Sequence, residues 1–75
     1  MKIYKSRSGK SSGVTGYQIG DDYIIVRFAD KGDYKYSEEG CGLKHISNMK
    51  ALAMKQQGLS TYISRHRDEL PYEKL

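Results

Sequence analysis

Between Tyr23 and Tyr36 the chain spells out two strands and the turn that joins them, and this stretch limits the fold more than any other. In Tyr23-Ile24-Ile25-Val26-Arg27-Phe28, successive side chains point to opposite faces. Ile24, Val26 and Phe28 therefore share a core face, and Tyr23, Ile25 and Arg27 the other. Asp30-Lys31-Gly32-Asp33 reads as a tight turn, with Gly32 supplying the positive φ that a hairpin reversal commonly needs. Tyr34-Lys35-Tyr36 then returns with both rings on one side and Lys35 on the other. A connection this short permits only antiparallel pairing, because parallel strands need a crossover of about a dozen residues or more.

Upstream, Val14 to Ile19 reads as a strand and Gly20-Asp21-Asp22 as the turn after it, which extends the hairpin to a meander. One face of that sheet has to be covered, and the second half of the chain supplies the cover. After a loop from Glu38 to Gly42, Ile46, Met49 and Ala53, with Leu52 beside them, recur at helical spacing on one face. Gly58 is placed to stop that helix. Ser60 or Thr61 is placed to cap a second one, in which Leu59, Tyr62, Ile63, His66 and Leu70 share a face, and Pro71 ends it. The expected fold class is α+β: a three-stranded antiparallel β-meander followed by two α-helices packed on one face. Residues 1–13 are expected to form a flexible basic N-terminal arm, although Ile3-Tyr4 has strand character, and residues 14–75 a single β-β-β-α-α domain.

With 75 residues and no internal repeat, the chain has room for one core. The candidate core is Val14, Ile24, Val26, Phe28, Ile46, Met49, Leu52, Leu59, Ile63 and Leu70, supplemented by tyrosines. A single cysteine, Cys41, excludes an intrachain disulfide framework. The basic start is followed by Gly, Ser and Lys instead of the apolar run of a signal peptide, and no stretch approaches the roughly 18 apolar residues of a membrane span. A cytoplasmic protein with no membrane partner is the expectation.

Several motifs resemble chemical sites without meeting their requirements. Gly9-Lys10-Ser11 mimics the end of a phosphate-binding loop, but Tyr4 stands where that motif requires its first glycine. Cys41, His45 and His66 lack the paired spacings of a zinc site, so they read as a loop thiol, a helix-start histidine and a packed or half-exposed histidine, with no metal and no cofactor expected. Cys41 near a helix start, with His45 one turn on, is the one arrangement that suggests a nucleophile, through a thiol pKa lowered by the helix dipole. A domain this small offers little wall for a substrate pocket, so neither catalysis nor a small-molecule substrate is expected. The acidic residues of the first half lack calcium-loop spacing and serve turns and solubility.

The net charge of +4 is unevenly distributed. Residues 1–10 carry Lys2, Lys5, Arg7 and Lys10 and no anion; residues 11–41 carry three cations against six anions; residues 42–75 carry six cations against three anions. A polyanion would therefore meet the N-terminal segment and the helices first. The chain also has seven tyrosines and no tryptophan. Aromatic rings stack on bases in single-stranded nucleic-acid binders, but Tyr34 and Tyr36, in an acidic hairpin on a sheet with one face to bury, read first as packing residues.

The glycine-bounded strand ending in Gly16-Tyr17, the Tyr-Ile-Ile-Val-Arg-Phe strand, Tyr34-Lys35-Tyr36 and the helix before Gly58 together resemble the KTSC domain. This is a short bacterial module that occurs alone and as a C-terminal appendage of some lysyl-tRNA synthetases. The resemblance covers roughly Ser12 to Arg65. Glu38-Glu39-Gly40-Cys41-Gly42 replaces the segment where the family commonly has a proline, and Leu59-Ser60-Thr61 replaces its aromatic pair with Asn, which makes this a divergent example. The resemblance implies an RNA-binding role through the company the module keeps. The residues expected to carry such binding are Lys2, Lys5, Arg7 and Lys10 as an arm, and Lys50, Lys55, Arg65 and Arg67 as a basic helical surface. The alternative expectation is a non-catalytic protein-interaction module or small homodimer that uses the sheet face carrying Tyr23, Ile25 and Arg27.

Overall fold

The computed structural model describes residues 1–4, 13–29 and 31–75. The chain runs β1 (Lys2–Ile3), β2 (Val14–Ile19), β3 (Tyr23–Phe28), β4 (Gly32–Ser37), α1 (Glu38–Cys41), α2 (Leu43–Lys55), α3 (Leu59–Arg65), a 3-10 turn (Arg67–Glu69) and β5 (Glu73–Lys74). The fold is α+β with an antiparallel sheet. Its five strands lie in chain order, so the expected meander β2-β3-β4 is present but is flanked by two further edge strands. Each of these is only two residues long, too short for alternation to register in the sequence, and each is held by backbone pairing: Lys2 opposite Tyr17, and Lys35 opposite Glu73.

Lys2 and Ile3 therefore belong to the sheet, and Tyr4 is buried. The rest of the expected basic arm, including Lys5, Arg7 and Lys10, lies outside the described residues, as does Asp30 of the expected turn. Gly32 does take a positive φ, +87°.

The β3–β4 register sets Ile24 opposite Tyr36, Ile25 opposite Lys35 and Val26 opposite Tyr34. Both tyrosines thus face the core side, with Tyr36 fully buried and Tyr34 partly so. In β2 the register slips between Val14 and Gly16. A regular strand would send Val14 and Tyr17, three apart, to opposite faces. The bulge adds one residue and lets both be buried. Ile46, Met49 and Ala53 from α2, Leu59 from α3 and Leu70 close the same core, while Phe28, Leu52 and Ile63 pack at its margin.

Three local readings are corrected. Glu38 to Cys41 is a helical turn, not a loop: two acidic residues sit in its first turn, and the Gly42 N–H closes onto the Glu38 carbonyl at 2.9 Å. The first long helix stops at Gln56, which takes the left-handed conformation at φ 54°, while Gly58, at φ 79°, begins the next helix instead of ending this one. Neither Ser60 nor Thr61 caps α3, and Pro71 does not end it: α3 stops at Arg65, and a separate 3-10 turn follows before Leu70. The Tyr4 hydroxyl accepts from the buried Leu59 N–H at 3.2 Å, so a residue at the opposite end of the chain satisfies the helix start.

The sheet's other face is polar. Arg27 donates to both carboxylate oxygens of Asp33, at 2.8 and 3.1 Å, and the Lys35 ammonium lies 4.7 Å from the centre of the Tyr23 ring. Asp33 is held below the usual carboxylate range by that hydrogen bond from Arg27. Among the described residues, no helix is long and apolar enough to cross a membrane.

Candidate functional site

Where the core face of the sheet runs out beyond Tyr36, the chain leaves α3, turns through Arg67–Glu69 and comes back as an extended segment at Pro71 and Tyr72. Cys41 Sγ donates to the Pro71 carbonyl at 3.2 Å, which docks this segment against α1. The docking lays the Tyr72 ring parallel to Tyr34, with centroids 4.4 Å apart and planes 8° from parallel, and brings it to 6.0 Å from Tyr36. Phe28 meets the Tyr34 ring at its edge, 5.2 Å away. The result is a ladder of aromatic rings that starts in the core and ends in solvent, because Tyr72 remains 55 % exposed.

This ladder lines an open groove of about 320 Å³ between the sheet and the α3 side of the molecule. Lys31 and Arg67 line the same groove, where Asp68 is the one anion among the described residues. A second groove of similar size shares Tyr72 but is lined by Asp22, Glu39 and Glu73 against Lys35, so it repels a polyanion where the first attracts one. The Tyr36 hydroxyl cannot supply charge there: burial, with Tyr72 and Cys41 nearby, raises it well above the ordinary tyrosine range.

Of the described residues expected to bind nucleic acid, the structure brings only Arg67 to this groove. Lys2 is exposed on the edge strand β1, and Lys55 and Arg65 are exposed at the last turns of α2 and α3. Lys50 donates to the Asp21 carbonyl at 3.0 Å and so ties α2 to the β2–β3 turn. Lys31 and Tyr72 were not singled out by sequence. Lys31 sits in a turn within the acidic half, and Tyr72 follows a proline in a segment with no periodicity.

The reactive-thiol reading of Cys41 is corrected. The residue does sit two positions before α2, at the end of the four-residue helix α1, but it is buried, and burial raises its thiol pKa. His45 is turned elsewhere: its Nδ1 lies 2.6 Å from the Tyr62 hydroxyl. Its Nε2 lies 3.6 Å from Glu69 Oε2, the same oxygen that His66 Nδ1 meets at 2.7 Å. The rings of His45, Tyr62 and His66 pack together with centroids 4.4 to 5.8 Å apart. The hydrogen bond from His66 lowers the Glu69 carboxyl pKa. His45 and His66 come from different elements, 21 positions apart in sequence, and their ligand atoms meet with Glu69 within 4.8 Å of one another.

Comparison of the chain with protein-family models, with curated proteins and with solved structures found no match.

Proposed function

We propose that this protein is a small, non-catalytic nucleic-acid-binding module, with single-stranded RNA as its ligand and the aromatic groove as the contact surface. The observation that carries this reading is the Tyr34–Tyr72 stack, in which Tyr72 stays 55 % exposed and shares a groove with Lys31 and Arg67. A base stacks on the free face of Tyr72 while the two cations take its neighbouring phosphates. Each such stack contributes about 1–3 kcal/mol and tolerates any base. Lys2, Lys5, Arg7 and Lys10, with Lys50, Lys55 and Arg65, add the long-range attraction that gathers a polyanion. The resemblance to the KTSC module supports the same reading, and a cytoplasmic setting suits a chain with one buried cysteine.

A salt titration with short labelled RNA tests it. Affinity should fall log-linearly with salt. Arg67→Ala should flatten the slope by about 0.7 if it holds one phosphate of a single strand. Tyr72→Ala should weaken binding by about 1–3 kcal/mol. Absence of binding at low salt, or binding indifferent to both substitutions, would sink the proposal.

The alternative, a protein-interaction module or homodimer using the outer sheet face, has less support. Ile25 there is already half-buried, in a face that carries the Arg27–Asp33 pair and the Lys35–Tyr23 contact. Concentration-dependent sedimentation would favour it.

A further inference from the structure

We infer that His45, His66 and Glu69 form a binding site for a divalent transition-metal ion, with zinc as the reference case. Two imidazole nitrogens from separate elements converge on one carboxylate oxygen: His66 Nδ1 at 2.7 Å and His45 Nε2 at 3.6 Å. One carboxylate oxygen satisfied by His66 does not need His45, and 3.6 Å is too long for a hydrogen bond. As a ligand arrangement the same spacing is apt. Ligands about 2.0–2.1 Å from a tetrahedral zinc lie roughly 3.3 Å from one another. The three atoms here are all within 4.8 Å, so modest side-chain rotations bring them to bonding distance.

The surroundings of His45 favour the same assignment. Its Nδ1 lies 2.6 Å from the Tyr62 hydroxyl, and Asn48 Nδ2 donates to that same oxygen at 3.4 Å. In the tautomer whose Nδ1–H donates to Tyr62, the Nε2 lone pair is free for a metal ion, 3.6 Å from Glu69 Oε2. A ligating histidine is held in this way by a partner on its other nitrogen. Packing of the His45, Tyr62 and His66 rings limits their rotation, so little ordering remains to be done on binding. The side chains are 24 %, 34 % and 60 % exposed for His45, His66 and Glu69, so an ion can enter and water can complete its shell.

Two imidazoles and one carboxylate select zinc, nickel, cobalt or copper over the all-oxygen preference of magnesium and calcium. Binding replaces the His66 Nδ1–Glu69 hydrogen bond with two metal bonds; the Nδ1 proton goes to solvent and His66 ligates as the neutral imidazole with a proton on Nε2, kept there by an imidazolium or taken up from water by a neutral ring. The ion would pin the start of α2 to the 3-10 turn. This inference stands apart from the nucleic-acid reading, because it uses none of the groove residues.

The test uses the full chain, without a histidine tag and stripped with chelator, titrated with zinc by calorimetry and followed by NMR of the histidine rings. One equivalent should bind saturably, shift the ring signals of His45 and His66, and raise the melting temperature as metal is added. Glu69→Gln and His66→Asn, at partly exposed positions, should each weaken binding by at least about tenfold. Tyr62→Phe, which removes the orienting hydroxyl, should weaken it by about 10–100-fold. No saturable binding up to millimolar zinc would overturn the inference. So would ring signals of His45 and His66 that zinc leaves unmoved, or an affinity unchanged by Glu69→Gln and His66→Asn. Melting of the metal-free variants checks folding, and the ring shifts of the unmodified chain decide the matter if a variant fails to fold.

Discussion

Tyr4 is a single residue that serves two distant elements. Its ring packs edge-on against Tyr17 at 6.4 Å in the sheet, and its hydroxyl accepts the first N–H of α3. That N–H is buried, so it has no ready replacement from water. Tyr4→Phe should therefore lower folding stability by about 1–3 kcal/mol, the cost of an orphaned buried donor, read as a lower urea midpoint at unchanged slope. Charged residues act more weakly. Asp33 and Glu69 both have carboxyl pKa values lowered by hydrogen bonds, from Arg27 and His66 respectively. A carboxylate with a depressed folded-state pKa contributes stability above its unfolded value, about 3.9–4.3, and that contribution is lost as pH falls through the folded value. Stability should thus decline below about pH 4, and Asp33→Asn should remove its share of the decline. Glu69 is exposed and Asp33 half-buried, so added salt should shrink the effect, more at Glu69. A urea-midpoint series against pH, at low and high salt, checks both the sign and the screening.

At the scale of elements, β1 is the most vulnerable, because two residues hold it to β2. Gly16, opposite Ile3, is what allows the approach. A methyl group there would lie 3.1 Å from the Lys2 carbonyl oxygen and 3.2 Å from Met1 Sδ, closer than neighbouring atoms ordinarily come. Gly16→Ala should force the Lys2 carbonyl and Met1 to give by a few tenths of an ångström, loosening β1 against β2 at a cost of up to roughly 1–3 kcal/mol. In hydrogen exchange, the Tyr4 amide, bonded to the Thr15 carbonyl at 3.0 Å, should lose protection first, and the β3–β4 amides last. The strands whose register is set by six paired positions, β3 and β4, were the ones alternation made legible. The helices were legible in position and face, since Ile46, Met49, Ala53 and Leu59 are all fully buried as their spacing requires. Their ends were not. Gln56 can enter the left-handed region without being glycine, and the cap of α3 comes from Tyr4, 55 residues away.

For the whole molecule, both ends of the chain complete the fold. The first strand closes one edge of the sheet, and the segment from Leu70 onward closes the other. It does so by a chain of contacts: Leu70 in the core, the Pro71 carbonyl on Cys41, Tyr72 on Tyr34, and Glu73 and Lys74 paired with β4. Deleting residues 71–75 should cost about 0.5–1.5 kcal/mol from the lost ring pair alone. It should also convert Cys41 from a slow to a fast target of an alkylating reagent, since the deletion removes both its cover and its hydrogen-bond acceptor. An unchanged thiol reactivity would show that α1 does not depend on this segment.

Alternation in Tyr23–Phe28 and Tyr34–Tyr36, and helical spacing after Gly42, determined the α+β class, the central meander, the buried faces and most of the core, because each depends on neighbours within a few positions. The basic residues of the helices were legible by type but not by place: Arg67 alone among the described ones reaches the aromatic groove. The groove itself, the Tyr34–Tyr72 stack and the meeting of His45 with His66 and Glu69 were decided by tertiary structure. Each depends on how an extended C-terminal segment and a short 3-10 turn come to rest against elements made tens of residues earlier. No local periodicity encodes that placement.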